Sequence, residues 1–237
     1  MRIILNGAAG RMGTALRKMA GEQIVAAVDP YGEGFLPDLA EYTGEADCII
    51  DFSNHAGTQQ LLSYACSRKL PVVICTTGHT PEELDMIDKA SAEIPVFRSG
   101  NMSVGIALLV SLAKQTAQMF PDADIEIVES HHNQKLDVPS GTALMLAKAV
   151  QQARPESHLL VGRHENGKRT KEEIGIHSLR MGNTVGIHEV IVNTGTQVIT
   201  LKHEAQDRSL FAEGALAAAA FIAGKAPGLY NMEDMVK

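Results

Sequence analysis

The chain has 237 residues, 45% hydrophobic and 21% charged, the balance of a globular protein able to bury a core. Its formal charge of −7, from 21 Lys and Arg against 28 Asp and Glu, opposes contact with a phosphate backbone, and no basic stripe carries interleaved aromatics, so no nucleic-acid partner is expected. No apolar run approaches the ~20 residues that span a bilayer, so no membrane partner is expected either.

Residues 2–5 form a strand without the charged, apolar and cleavage regions of a leader peptide, and a cytoplasmic location is expected. Short β-branched runs then alternate with helical periods: strands at 3–5, 24–28, 48–52, 72–76 and 95–97, helices at 11–20, 58–69 and 81–92. That alternation builds a parallel, doubly wound sheet. Leu61, Leu62, Ala65 and Cys66 share one helical face, while Thr80-Pro81 opens the next helix ahead of Glu82, Glu83 and Asp85, an acidic first turn. Gly21 and Pro71 supply stops. Between Asp29 and Ala46 the pattern lapses into Pro30, Gly32, Gly34 and Pro37, with at most one helical turn in a shortened crossover. Cys48, Cys66 and Cys75 lie in apolar segments and fit neither a disulfide framework nor Cys-x-x-Cys zinc spacing; all three are expected to be buried thiols.

From residue 103 the character changes. A helix over 103–118 precedes a strand over 124–129, a polar loop, a helix over 142–152 and three strand-like runs at 174–181, 185–193 and 197–203. Gly182-Asn183 and Thr194-Gly195 join those runs, and turns this tight predict antiparallel neighbours. The charged stretch 154–173 reads as a surface loop, and the alanine-rich helix over 209–223 is expected to return to the first domain with no strand after it. The predicted organisation is a dinucleotide-binding domain of residues 1–102 and 209–237 with an inserted substrate-binding and oligomerisation domain of residues 103–208. The second domain is α/β with a largely antiparallel sheet. Ile187, Val190, Ile191 and Val192 give that sheet apolar residues on both faces, and two helices protect only one, so sheet-to-sheet pairing between subunits is expected.

Asn6-Gly7-Ala8-Ala9-Gly10-Arg11-Met12-Gly13 turns from a strand into a helix. Its glycines permit a tight turn, close approach of backbone to phosphate and close helix packing, and the helix aims free N–H groups at an anion. The spacing G-x-x-G-x-x-G alone also fits a turn without ligand, but an acidic residue, Asp29, follows at the end of the second strand. Asp29 would accept from an adenosine ribose hydroxyl and repel a 2′-phosphate, which favours NADH modestly. Cys75-Thr76-Thr77-Gly78 and Ser99-Gly100-Asn101-Met102-Ser103 end two further strands, where such a sheet places its ligand crevice; either alone is equally an ordinary turn.

Residues 129–142 read Glu-Ser-His-His-Asn-Gln-Lys-Leu-Asp-Val-Pro-Ser-Gly-Thr. Ser140 or Gly141 caps a helix, so the amides of Gly141 and Thr142 point outward and bind a carboxylate without a cation. Lys135 and an imidazole nearby would add charge-assisted bonds to a second acidic group. The plainer reading is a capped helix with a solvated loop. Adjacent His131 and His132 on an extended segment point to opposite sides, so no metal is expected. His177, His188 and His203 read as structural or lining residues; Arg180 and Arg208 could reach an anionic ligand, but paired surface charges are the commoner fate of such residues.

Read together, these segments resemble the 4-hydroxy-tetrahydrodipicolinate (dihydrodipicolinate) reductase family over nearly the whole chain. The resemblance rests on Gly7 to Gly13, Asp51-Phe52-Ser53, Thr76-Thr77-Gly78, Asn101-Met102-Ser103-Val104-Gly105, residues 129–142, 176–188 and 204–214. The string His-His-x-x-Lys-x-Asp-x-Pro-Ser-Gly-Thr is its most specific part. It implies a Rossmann-like domain, a mixed α/β domain that makes tetramers, NADH or NADPH as hydride donor and a cyclic imino dicarboxylate as substrate. It implies His131 and Lys135 as acid/base groups, with His132, Lys135, Ser140, Gly141 and Thr142 on the substrate. It implies Gly7, Ala8, Ala9, Gly10, Arg11, Met12, Asp29, Cys75, Thr76, Thr77, Ser99, Gly100, Asn101 and Met102 on the cofactor. Cys75 departs from the family's usual glycine. The alternatives are a dehydrogenase of another amino or imino acid, and a dinucleotide sensor without turnover; the sensor explains neither His131 nor Lys135.

Overall fold

The structure is a computed structural model and describes residues 1–236. The chain divides into two compact units, Met1–Ser103 with Ser209–Met235, and Val104–Arg208.

The first unit is built on a parallel sheet of six strands among the described residues, β1 (Ile3–Asn6), β2 (Ile24–Val28), β3 (Cys48–Asp51), β4 (Val72–Ile74), β5 (Pro95–Arg98) and β11 (Gly228–Tyr230), in the order β11-β5-β4-β3-β1-β2. Strands buried on both faces read as continuous apolar runs, as Ile3-Ile4-Leu5 and Val72-Val73-Ile74 do here. Alternate side chains serve opposite layers. Ile4, Ile49, Val72, Ile74 and Val96 pack with Leu61, Leu62, Ala65, Ile87 and Ala90 of α2 (Thr58–Arg68) and α3 (Pro81–Ser91). Helix α1 (Arg11–Ala20) instead packs against α6 (Ser209–Ile222), whose small side chains let backbones approach. A Cβ added at Gly214 would stand 1.6 Å from the Met102 carbonyl oxygen.

The expected helix boundaries hold: Gly21 ends α1 at φ 52°, and Thr80 with Glu83 closes a capping box at the start of α3. The β2–β3 crossover holds a single 3-10 turn, Leu39–Glu41. Two expectations fail. A strand does follow α6: β11 pairs in parallel with β5, and its three residues are too few to show a period. Of the cysteines only Cys48 is buried, while Cys66 and Cys75 are partly exposed because each lies at the edge of its apolar segment.

The second unit pairs five strands among the described residues, β6 (Asp124–His131), β7 (His158–Val161), β8 (Glu173–Arg180), β9 (Gly186–Asn193) and β10 (Val198–Ala205), in the order β10-β9-β6-β8-β7. Helices α4 (Val104–Met119) and α5 (Gly141–Ala153) pack on one face, over Ile125, Ile127, Ile174, Ile176, Val190 and Val192. The sheet is mixed. β9 runs antiparallel to β6 and β10, but β8 runs parallel to both β6 and β7. The expected antiparallel pairing of the 174–181 and 185–193 runs is therefore wrong, since β6 lies between them. Two strand spacings are ~10 Å, a gap that five linking residues bridge easily. Strand β7 also occupies part of the stretch expected to be loop; four residues among charged neighbours leave little pattern. Finally, β6 runs on to His131, which stands on a strand and not in the loop.

Candidate active site

In the first unit the glycine turn sits at the carboxyl end of β1, where the chain order reverses between β2 and β3 and such sheets hold ligands. Gly7 has φ +84°, and a Cβ there would meet the Phe52 carbonyl at 2.6 Å; one at Gly13 would stand 2.2 Å from the Gly7 oxygen. Both places require glycine because backbone crosses backbone. Gly10 differs, its nearest neighbour to an added Cβ lying 3.5 Å away, so its missing side chain clears space above the helix. The N–H groups of Gly7 and Ala8 donate to the Val28 carbonyl at 2.9 and 3.1 Å. Asp29 accepts from Ala9 N–H at 2.9 Å and Tyr31 N–H at 3.0 Å, which fastens the turn to the end of β2. Gly10, the N-cap of α1, brings no side chain to the first-turn amides, and Gly10 and Arg11 are exposed beside half-buried Met12. The result is a cradle for an anion.

The other strand ends are tied by a residue that carries part of the family resemblance but had no role assigned to it. Asp51, 2% exposed, accepts from Asn6 Nδ2 (2.8 Å) and Ser53 Oγ (2.6 Å) on one oxygen and from Thr76 Oγ1 (2.6 Å) on the other. One carboxylate thus binds the ends of β1, β3 and β4. Its signal in the sequence was an acidic residue closing the apolar run Cys48-Ile49-Ile50. Thr77 beyond it is exposed; the Cys75 residue is partly exposed, but its sulfur is enclosed, and that desolvation pushes the thiol up, so it stays protonated. Ser99 Oγ donates to the Asn101 carbonyl at 2.7 Å, folding 99–101, with exposed Gly100 between them, back on itself ahead of buried Met102. A cavity of about 600 Å³, lined by Asn6, Pro30, Tyr31, Asp38, Ser53 and Gln60 among others, adjoins the turn and suits an adenosine-sized group.

In the second unit the helix-covered face of the sheet turns from apolar to polar along β6: Ile125, Ile127, then Glu129 and His131. Strand register places Ser178, Glu129, His188 and His203 in one row across four strands, with Arg180 beside His131 in the next and Gly186 lying against the His131 ring. Glu129 is fully buried. Arg180 grips it with both terminal nitrogens at 2.9 and 2.8 Å, and the ring Nδ1 of His131 lies 2.5 Å from its Oε2. Those contacts, Arg180 foremost, hold the Glu129 carboxyl down at about 2 against its burial. Arg180 is therefore not a surface pair, as expected, but the counter-ion of a buried carboxylate.

Desolvation lowers the His131 pKa below the ordinary imidazole value although Glu129 opposes it. His188 packs edge-on to His131, ring centres 5.1 Å apart, and lies 3.2 Å from Ser140 Oγ; burial takes it down to about 4, so it is neutral. Ser140 caps α5, accepting from Ala143 N–H at 3.2 Å, and Gly141 stands exposed at the head of the helix with half-exposed Thr142 next. Lys135 pairs with Asp137 at 2.8 Å and lies close enough to His131 and His188 to disfavour protonation of both. The fold thus brings His131, Lys135 and the Ser140–Thr142 helix end together; partly exposed His132 follows β6. His177 lies on the opposite face, 2.8 Å from Glu126. Together they offer an acid, an ammonium and a carboxylate-binding helix end.

A doubly wound sheet with a glycine turn open to an anion, in a chain whose second unit gathers an imidazole, an ammonium and an open helix end, is the equipment of a nucleotide-dependent oxidoreductase. Its sequence matches the family described as "Dihydrodipicolinate reductase, N-terminus" over residues 1–102 and "Dihydrodipicolinate reductase, C-terminus" over residues 105–236. The chain belongs to the dihydrodipicolinate reductase family. Similar relatives are the 4-hydroxy-tetrahydrodipicolinate reductases of Caldanaerobacter subterraneus subsp. tengcongensis, 49% identical over 100% of this chain and 98% of that one, and of Clostridium novyi, 43% identical with the same coverage. The fold is shared with dipicolinate-bound dihydrodipicolinate reductase from Paenisporosarcina sp. TG-14 (TM-score 0.78, 24% identity, 99% of each chain). It is shared more distantly with a probable dehydrogenase from Thermotoga maritima (TM-score 0.66, 12% identity, 99% of this chain and 92% of that one).

Proposed function

We propose that the chain reduces 4-hydroxy-tetrahydrodipicolinate to tetrahydrodipicolinate with NADH or NADPH, NADH somewhat favoured, in the diaminopimelate route to lysine. The observation that carries this reading is the His131–Glu129 pair beside Lys135 and the capped end of α5, in a chain whose relatives bear that activity in their names. The nicotinamide, when bound, supplies the hydride. In this reading Gly7, Ala8, Ala9, Gly10, Arg11 and Met12 hold the pyrophosphate, Asp29 takes the ribose hydroxyls, and Cys75, Thr76, Thr77, Ser99, Gly100, Asn101 and Met102 hold the nicotinamide end. The backbone crossings at Gly7 and Gly13 support the fit, since they shape the turn around the anion's place.

Ser140, Gly141 and Thr142 bind one substrate carboxylate and His132 with Lys135 the other, which orients the ring. Loss of the 4-hydroxyl as water leaves a conjugated C=C–C=N system. When its far carbon gains hydride, electron density moves to the carbon α to the imine, and His131 or Lys135 delivers a proton there. A coupled assay tests this: the unstable substrate is made in situ from pyruvate and aspartate semialdehyde by the preceding synthase, and NADH absorbance is followed. His131→Ala and Lys135→Ala are expected to lower kcat by about 100-fold or more while leaving NADH affinity within about twofold. Equal losses in both would count against these roles.

The outer face of the second sheet supports a homotetramer. Leu179 and Val198 are exposed there, with Ile187 and Ile191 partly so, and another copy's sheet is the cover that matches. A cytoplasmic setting follows from dependence on a reduced nicotinamide pool. No helix among the described residues is long and apolar enough to cross a membrane.

A further inference from the structure

We infer that Glu129 is a positioning residue that aims the His131 imidazole and ties it to the carboxylate-binding end of α5, with Arg180 setting the charge that His131 feels. The inference rests on the reading of His131 as proton donor and adds what controls it.

Glu129 and His131 stand two apart on β6 and so share a face. Both carboxylate oxygens of Glu129 are occupied. Oε2 faces His131 Nδ1 at 2.5 Å and Arg180 Nη1 at 2.9 Å; Oε1 accepts from Arg180 Nη2 at 2.8 Å and from the Ser140 N–H at 3.2 Å. A buried carboxylate that stays ionised only accepts, so the proton on its imidazole neighbour must sit on Nδ1. That leaves Nε2 for the substrate. Nε2 points toward Gly186, where a Cβ would stand 3.1 Å away, so the missing side chain gives the ring room. The same carboxylate fixes the backbone of the residue that caps α5, so donor and anion grip share one anchor.

The charges around His131 come from every packed neighbour: Glu129 on its own strand, Arg180 on β8, neutral His188 on β9 with His203 behind it on β10, and Lys135 with Asp137 in the following loop. Glu129 favours the imidazolium; Arg180 and Lys135 oppose it. Removing Glu129 and removing Arg180 must therefore move the His131 titration in opposite directions. Simple loss of structure would not.

The test compares Glu129→Gln and Arg180→Gln in the full-length enzyme through the pH dependence of kcat and a ¹⁵N NMR titration of the His131 ring. For Glu129→Gln the limb on which protonated His131 is lost should move down by about one pH unit, with kcat at neutral pH reduced about tenfold to 100-fold and the Nδ1–H tautomer no longer exclusive. For Arg180→Gln the same limb should move up by a similar amount. Glu129→Asp should recover part of the activity and restore the limb. If Glu129→Gln does not fold, Arg180→Gln decides alone: an upward shift supports the inference, an unmoved limb overturns it. An active His131→Ala enzyme would remove the underlying reading; an inactive one combined with unmoved limbs in both variants overturns the positioning role only.

Discussion

His188 shows how one buried side chain sets a pH limit on the fold. It is 4% exposed, its Nδ1 has no hydrogen-bond partner among the described residues, and its pKa lies at about 4 against 6.5 for a free imidazole. Above pH 6.5 neither folded nor unfolded chain binds a proton there. Between 6.5 and 4 the unfolded chain takes one that the folded imidazole refuses, so stability falls as pH falls, by about 3 kcal/mol over the whole window. Urea denaturation at pH 7 and pH 4.5 should show a smaller loss in His188→Gln than in the parent chain. Identical losses would rule His188 out as the source. Glu129 works in a lower window: its carboxyl, held at about 2, contributes stability above its ordinary value of 4.5 that disappears as pH falls toward 2.

Among the elements, the β1–α1 turn separates two uses of glycine. At Gly13 an added methyl meets the Gly7 carbonyl oxygen at 2.2 Å, a backbone atom that cannot swing away. Gly13→Ala should cost about 1–3 kcal/mol by overpacking and lower NADH affinity along with it. At Gly10 the methyl meets only ordinary contact at 3.5 Å and occupies space that an anion would use. Gly10→Ala should keep the melting temperature within a degree or two of the parent, at roughly half a kcal/mol or less, yet weaken NADH binding. Thermal melts paired with NADH fluorescence titration separate the two cases; unchanged NADH affinity in Gly10→Ala would place the pyrophosphate elsewhere. The short helix-covered row at the end of β6 works on the same principle: strand register places Arg180 beside His131, and Gly186 leaves room against its ring.

On the scale of the whole molecule, the outer face of the second sheet predicts assembly. Two helices cover the inner face, while the outer one presents Leu179 and Val198 beside the charged Glu189, Lys202 and Glu204. Apolar residues interleaved with ion pairs suit a symmetric contact of roughly 1,000 Å² or more. Sedimentation at micromolar concentration should give a tetramer, and Ile191→Lys, in the middle of β9, should lower the assembly state. A parent chain that sediments as a monomer removes the proposal.

What the sequence determined by itself is what short-range physics encodes. Helix periods, the Thr80 and Ser140 caps, the glycine turn and the 129–142 string depend on neighbours along the chain, and the elements appear where those signals stand. The tertiary structure decided pairing and partners. That β6 enters between β8 and β9, that three residues after α6 join the sheet as β11, and that Arg180 turns inward to Glu129 are contacts across 49 residues or more of chain. No local period records them, because a strand's order in its sheet and a buried charge's partner are chosen by which distant surfaces must be covered together.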